Sequence, residues 1–446
     1  MTRKRSKKPD PTPVQATIES LTHEGKGVAH IEGKTVFVDD ALAGETVEFI
    51  YTRKKRDFDE ARLHKIITPS PHRVEPVCAH FGVCGGCRLQ HLDAAEQLKA
   101  KQSVLLDNLE RVGKVEAETI LPPLSGSNWG YRRKARLGVR YVHKKGRVLV
   151  GFRERGSSFL AELDSCKVLH PAVGEKLTAL GEVIRQLSVY KQIPQIEVAV
   201  ADNSTALIFR NLEPFSDEDK SKLSKFGQDH DFQIYLQPKG PDTVALLSPE
   251  SAQNQAGLYY KLSDYDLKIQ FKPSDFTQVN HDINPKMVSL ALELLQLNKE
   301  DTVLELFCGL GNFTLPMARQ AKQIVGVEGD VGLIERARDN AKANDIDNVE
   351  YHVANLMENM DDMPWLKKDH YSKILLDPPR SGAKEALPYI AAIGAARIVY
   401  VSCHPGTLAR DAGALVNEYG YRLRAAGVMD MFPHTAHVES IALFEK

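Results

Sequence analysis

The chain has 446 residues, 42% hydrophobic and 26% charged, a balance that fits a globular protein of two or three domains and excludes a fibrous or largely disordered one. No apolar run reaches the roughly 18 residues that cross a bilayer, and no apolar leader core follows the basic residues 1–8, so a soluble, cytoplasmic protein without a membrane partner is expected. The net charge of −1 conceals an asymmetry. Between Tyr131 and Leu160 ten Lys and Arg face a single acid, Glu154, which points to a local polyanion-binding surface.

After a basic tail (residues 1–13, with Pro9, Pro11 and Pro13), the stretches 14–18, 34–38 and 45–50 alternate with Gly25, Gly27, Gly33 and Gly44. Short strands with glycine turns at this spacing predict a small OB-like β-barrel over residues 14–70. Residues 71–273 read as a central α+β domain. Cys78, Cys84 and Cys87 fall in one loop with Gly82, Gly85 and Gly86, and Cys166 is a plausible fourth ligand from a distant segment. Six cysteines are too few for a disulfide scaffold. A triplet plus a remote thiol leans towards a [4Fe–4S] cluster, while His80 and His91 keep a mixed zinc site open. A helix is predicted over 93–112, with Asp93 as N-cap and Gly113 just past its end. Strand patterns at 135–142, 148–152, 196–200 and 206–209 then predict a mainly antiparallel sheet. Its basic segment, with Trp129, Tyr131, Tyr141 and Phe152 in or beside it, is expected to grip RNA phosphates while the rings stack on unpaired bases.

From residue 274 to 446 strands alternate with helices: 302–306, 323–327, 349–353, 373–376 and 397–401, then two more near 421–428 and 438–444. This rhythm predicts an α/β domain with a parallel sheet. Leu304-Glu-Leu-Phe-Cys-Gly-Leu-Gly-Asn-Phe313 places Gly309 and Gly311 after the first strand. The full G-x-G-x-x-G fingerprint and a Walker lysine are both missing, so a nucleoside fits better than a pyrophosphate. Glu328 suits a ribose diol, Asn355 the adenine edge, and Asp377-Pro-Pro-Arg380 ends the fourth strand. The absence of an aromatic residue after the prolines argues against methylation of an exocyclic amine. This set resembles the class I S-adenosylmethionine (SAM) methyltransferase fold.

The fifth strand runs into Cys403-His404-Pro405. Carbon 5 of uracil is a poor nucleophile; a thiolate adding at carbon 6 makes carbon 5 carbanion-like, and a base must later remove its proton. Cys403 is the expected nucleophile, with a thiol pKa depressed by a nearby positive group. Glu439 is the expected base, with His434 and His437 as alternatives, and Cys308 is read as packing.

Together these motifs resemble the RNA uridine C5-methyltransferases, specifically the branch that carries an iron–sulfur cluster and a TRAM domain and acts on 23S rRNA. The resemblance implies SAM and a [4Fe–4S] cluster as cofactors, and cluster ligands Cys78, Cys84, Cys87 and Cys166. It implies SAM-site roles for Gln278 (in Phe276-Thr-Gln-Val-Asn280), Phe307, Asn312, Glu328, Asn355 and Asp377, with Cys403 as nucleophile and Glu439 as base. The substrate implied is a flipped uridine of 23S rRNA, with no obligate protein partner. A tRNA substrate, or a non-catalytic RNA-binding assembly factor, are the other readings. The familiar Ser-Cys-Asn-Pro here reads Ser-Cys-His-Pro, so His404 is expected to tune the thiolate or a target contact.

Overall fold

A computed structural model describes residues 10–249, 257–367 and 371–446, so most of the basic tail lies outside the described residues. The chain forms two compact units. One comprises the residues up to Val104 with Phe432–His437, the other Leu105–Met431 with Val438–Lys446.

In the first unit, β1 (Val14–Thr17), β2 (Ser20–Leu21), β3 (Gly27–Ile31), β4 (Lys34–Asp39), β5 (Thr46–Lys54) and β6 (Phe58–Thr68) form one sheet in the order β1-β5-β6-β4-β3-β2. Only Ile18 and Glu19 separate β1 from β2, and their N–H groups donate to the carbonyls of Glu45 and Val28. A single segment therefore forms both edges of the sheet, which curls round a core of Ile18, Val36, Val38, Val47 and Phe49. Gly27 is dictated by this closure, because a Cβ there would lie 2.9 Å from Ile18. Glu45 is fully buried, yet Arg73 and the N–H groups of Leu42 and Ser70 all donate to its carboxylate. Against the upward push of burial, these donors hold its pKa below the ordinary range.

Helix α1 (Ala94–Asn108) starts where Asp93 accepts the N–H of Ala95, as the sequence predicts. Its end differs from expectation. A π-helical turn, Leu109–Gly113, extends it, and Lys114, not Gly113, takes the left-handed conformation at φ 55°. Gly113 is needed for packing instead, since a Cβ there would sit 2.5 Å from the carbonyl of Ala409.

Among the described residues the second unit holds two large sheets and a two-stranded hairpin. Its first is built from β8 (Lys134–Val142), β9 (Arg147–Gly151), β10 (Gln195–Val200), β11 (Thr205–Arg210), β12 (Phe232–Gln237) and β13 (Ala245–Ser248) in the order β13-β12-β11-β10-β8-β9. Helices α2 (Pro171–Gly174) and α3 (Leu177–Arg185) precede β10. All pairs are antiparallel except β11 with β12, which α4 (Asp217–His230) connects as a crossover. A hairpin of β14 (Leu258–Leu262) and β15 (Leu267–Phe271) follows.

The second sheet runs β18-β17-β16-β19-β20-β22-β21-β7. It consists of β7 (Thr119–Ile120), β16 (Thr302–Leu306), β17 (Gln323–Glu328), β18 (Val349–Val353), β19 (Lys373–Leu376), β20 (Arg397–Ser402), β21 (Arg422–Met429) and β22 (Glu439–Glu445). The helices here are α5 (Ile283–Leu295), α6 (Thr314–Ala318), α7 (Val331–Ala343), α8 (Leu387–Ile393) and α9 (Pro405–Asn417). β16 to β20 are mutually parallel, and β22 inserts antiparallel between β20 and β21. Their centres are almost wholly apolar and buried, as strands covered on both faces must be.

The units cut the chain differently from boundaries at 70 and 273. β7 leaves the central region to pair with β21 at the edge of the second sheet. Across residue 273, Asn340 and Asn344 sit one turn apart on α7 and exchange paired hydrogen bonds with the backbone of Gln270 and Lys268 in β15. Two amide side chains thus act as a surrogate strand edge for the hairpin. Among the described residues no helix is long and apolar enough to cross a membrane.

Candidate active site

A cavity of about 610 Å³ opens at the carboxyl ends of the parallel strands, where a doubly wound sheet binds ligands. The turn after β16 shapes its floor. The N–H groups of Phe307 and Cys308 both donate to the carbonyl of Val327, and Phe307 is held at φ 66°. A bulky residue in that region costs on the order of 1–3 kcal/mol, which the surrounding structure must over-determine. Gly309 and Gly311 also have positive φ; a Cβ at Gly309 would enter open space, so the backbone there is bare to a ligand.

Glu328 ends β17 with its carboxylate fixed by the N–H groups of Gly309, Gly329 and Asp330. Phe313, Leu333, Leu356 and Met357 add apolar wall. Of these, Leu333, Leu356 and Met357 carry no sequence motif. Asn312 lines the cavity, but its oxygen accepts from both Tyr260 and Asn284, and its amide donates back to Asn284. Its place is fixed from behind by this trio. Asn355 also lines the cavity, while its amide holds its own loop through Glu358 and Met357. Gln278 lines the opposite side with Phe276, which is 70% exposed.

Asp377 ends β19 inside the cavity, and burial, followed by the charge of Glu328, pushes its pKa up to about 7. Buried Glu305 accepts from Thr314 and is raised to about 8, first by burial and then by Asp377 and Glu328. Glu305 does not itself line the cavity; the acidic groups in its wall are Asp377, Glu328 and Glu439, which favour a cationic ligand.

The relation of Cys403 to Glu439 follows from strand register. β20 and β22 pair antiparallel with Ser402 opposite Ser440, so the next step sets Cys403 opposite Glu439, and both line the cavity. The depressed thiol expected at Cys403 is not found. Burial, then Glu439 and Asp377, raise it to about 11, and Arg380 alone among the nearby side chains pulls it down. Tuning of the thiolate by His404 is likewise not seen. Its Nδ1 accepts the N–H of Thr407 and caps α9, the task an asparagine would perform there, and it is not among the charges acting on Cys403. Neither histidine proposed as a base lines the cavity: His434 is hydrogen-bonded to Gln97 and His437 packs on Phe432. Buried Cys308 has its thiol raised by burial, consistent with packing.

Fully buried Asn280 joins the two halves of the site. Its oxygen caps the turn through the N–H groups of Asp282 and Ile283, and its amide donates to the carbonyls of Asp430 and Met431 at the end of β21, whose Met429 pairs with Glu439.

The basic segment is less available than its composition suggests. Arg133 pairs with Asp202, Arg136 with Glu197, and both Lys145 and Arg147 with Glu162. Lys134 donates to the carbonyl of Pro273, and burial lowers its pKa to about 8. Tyr131 is buried, Tyr141 packs edge-on against Tyr190, and Phe152 lies under Arg132. The half-buried cysteines are all unbridged. Cys78, Cys84 and Cys87 belong to the first unit, where Gly86 N–H points at Cys84 Sγ at 3.4 Å, and Cys166 belongs to the second. Among the described residues, no three His, Cys, Asp or Glu are gathered so as to hold a metal ion.

Residues 94–446 match the family described as tRNA (Uracil-5-)-methyltransferase, and residues 13–61 match the TRAM domain. The chain is 54% identical over 439 residues to the 23S rRNA (uracil(1939)-C(5))-methyltransferase RlmD of Nitrosococcus oceani, covering 97% of this chain and 96% of that one. It is 52% identical over 441 residues to the protein of the same name from Methylococcus capsulatus, covering 99% of each. Among solved structures it resembles the Pyrococcus abyssi tRNA (uracil-54, C5)-methyltransferase in complex with S-adenosyl-L-homocysteine, with TM-score 0.73 and 24% identity over 96% of this chain and 99% of that one, a likeness of fold.

Proposed function

The chain belongs to the tRNA (uracil-5-)-methyltransferase family, and we propose that it transfers a methyl group from SAM to C5 of a 23S rRNA uridine, the counterpart of position 1939 in its relatives' names. One observation carries the chemistry: strand register sets a cysteine and a carboxylate face to face at the rim of a nucleoside-sized cavity. The bare backbone at Gly309, the fixed carboxylate of Glu328 and the apolar walls fit a nucleoside, and the acidic groups in the cavity wall, Asp377 with Glu328, suit a cationic sulfonium. SAM, when bound, supplies an electrophilic methyl group. Gln278, Phe307, Asn312, Glu328, Asn355 and Asp377 form its site, Asn312 through a position fixed by Asn284 and Tyr260.

Cys403 Sγ, as thiolate, adds to C6 of a uridine flipped into the cavity, and C5 then takes the methyl carbon as its bond to the sulfonium sulfur breaks, the bonding pair staying on that sulfur as a neutral thioether. Glu439 takes the C5 proton, the C5–C6 double bond re-forms, and Sγ leaves C6. Arg380 is the protein cation that favours the thiolate before attack. The TRAM region contributes RNA affinity.

The cluster reading rests on donor chemistry. Three thiols in one loop, with the N–H of Gly86 donating to Cys84 Sγ, suit a thiolate-ligated iron–sulfur centre, with Cys166 as the fourth ligand that the resemblance implies. Anaerobically isolated protein should contain about four irons with a broad visible absorption that Cys84→Ser removes. Colourless, iron-free wild-type protein would contradict the cluster.

The methyl position is tested by mass spectrometry of digested rRNA after incubation with the protein and labelled SAM. A label on uracil C5, absent with Cys403→Ala, is expected. A label on a base nitrogen or a ribose oxygen would overturn the reading.

A further inference from the structure

We propose that Phe159, on the loop between β9 and the segment entering Cys166, is a base-stacking platform for an unpaired stretch of RNA beside the target uridine. The inference rests on the RNA-substrate reading above.

The ring is 64% exposed, among the most exposed large apolar side chains described. Its backbone is not loose. Glu154 N–H donates to Phe159 O, Ala161 N–H to Phe152 O, and Phe159 N–H to Ser157 Oγ, while Arg153 and Leu160 form a β-bridge. The loop thus presents a ring on a closed, pre-organised scaffold, which limits the ordering cost of binding.

Charge identifies the partner. Of the basic segment, Arg140, Lys144 and Arg153 are the cations that meet no acid among the described residues, and Arg153 adjoins this loop. Exposed arginine beside an exposed flat ring suits a phosphate backbone with splayed bases. A duplex, whose bases are stacked inside, offers the ring no face.

Position supports the same partner. Gly151 pairs with Gly138, and Leu160 packs on Gly138, so the loop returns alongside β8 towards its start. There Arg132 stands over Phe152 and bridges to Asn280, two residues from Gln278 at the cavity. The loop and the cavity mouth, with its own exposed Phe276, therefore share one connected framework. The aromatic residues singled out from composition are engaged within the protein, whereas Phe159 is available.

The test uses Phe159→Trp, Phe159→Ala, Phe159→Leu and Phe159→Tyr in the full chain. Single-stranded RNA carrying the target segment should quench the emission of F159W saturably, beyond the change wild type shows, and a duplex of the same sequence should not. F159A should raise the KM for RNA on the order of tenfold with the KM for SAM unchanged; F159Y should restore it and F159L should not. Equal quenching by duplex, an unchanged RNA KM in F159A, or full rescue by F159L would overturn the proposal. Wild-type protein that fails to methylate RNA would overturn the function itself, while a saturable F159W response would still carry the platform.

Discussion

A thiol with a pKa near 11 is almost wholly protonated at neutral pH, so thiolate attack by Cys403 requires its burial and the charges of Glu439 and Asp377 to be offset. Arg380 is the protein group that acts in the required direction. The account therefore predicts that log kcat/KM for RNA rises across the neutral range with a slope of about one. Arg380→Ala should lower kcat/KM about tenfold for each unit by which the thiol pKa climbs, and Arg380→Lys should recover part of it. A flat profile from pH 6.5 to 9 (about the accessible range) would contradict thiolate attack. Glu305 gives a second residue-scale prediction. Its folded pKa of about 8 exceeds the unfolded value, so the unfolded chain binds fewer protons between pH 4.5 and 8, and stability falls as pH rises through that window. Glu305→Gln removes the penalty: Tm at pH 8 should rise relative to wild type and lose much of its pH dependence, whereas an equal or steeper decline would refute the assignment. Glu328, Asp377 and Cys403 stand out in the sequence because each lies at or just past the end of a strand, whereas Glu439 opens one and Glu305 lies inside β16 with no local signal. The thiol's environment does not, since it depends on two acids from β19 and β22 meeting across the sheet.

At the scale of elements, the parallel strands were legible almost to the residue, because buried apolar runs bounded by polar ends leave little choice. The strap β7 was illegible: two exposed residues gain strand character only from the β21 edge. His404 shows how a motif departure acquires a plain meaning in three dimensions. As an N-cap of α9 it should be replaceable by Asn without loss of Tm, while His404→Ala should cost about 1 kcal/mol by denaturant unfolding. A large rate change in His404→Asn at unchanged stability would instead restore a direct role beside the nucleophile. Asn280 ties the Gln278 segment to the end of β21, and its contacts, which span 150 residues of sequence, lie beyond any local pattern.

At the scale of the molecule, every proposed SAM-site and reacting residue lies in the second unit, between Gln278 and Glu439. Disrupting the curled sheet of residues 14–68 should therefore leave SAM affinity, read by calorimetry, within about twofold while weakening RNA binding several-fold; lost SAM binding would contradict that separation. Composition and rhythm place seams at 70 and 273, and the chain folds across the second of them through the β14–β15 hairpin and the Asn340 and Asn344 bonds. The most direct test of the chemistry combines Glu439→Gln protein, 23S rRNA and labelled SAM on a denaturing gel. A slow-migrating, methyl-labelled protein–RNA band that vanishes when Cys403→Ala is added is the predicted result. Wild-type turnover by Glu439→Gln with no such band would contradict the covalent route.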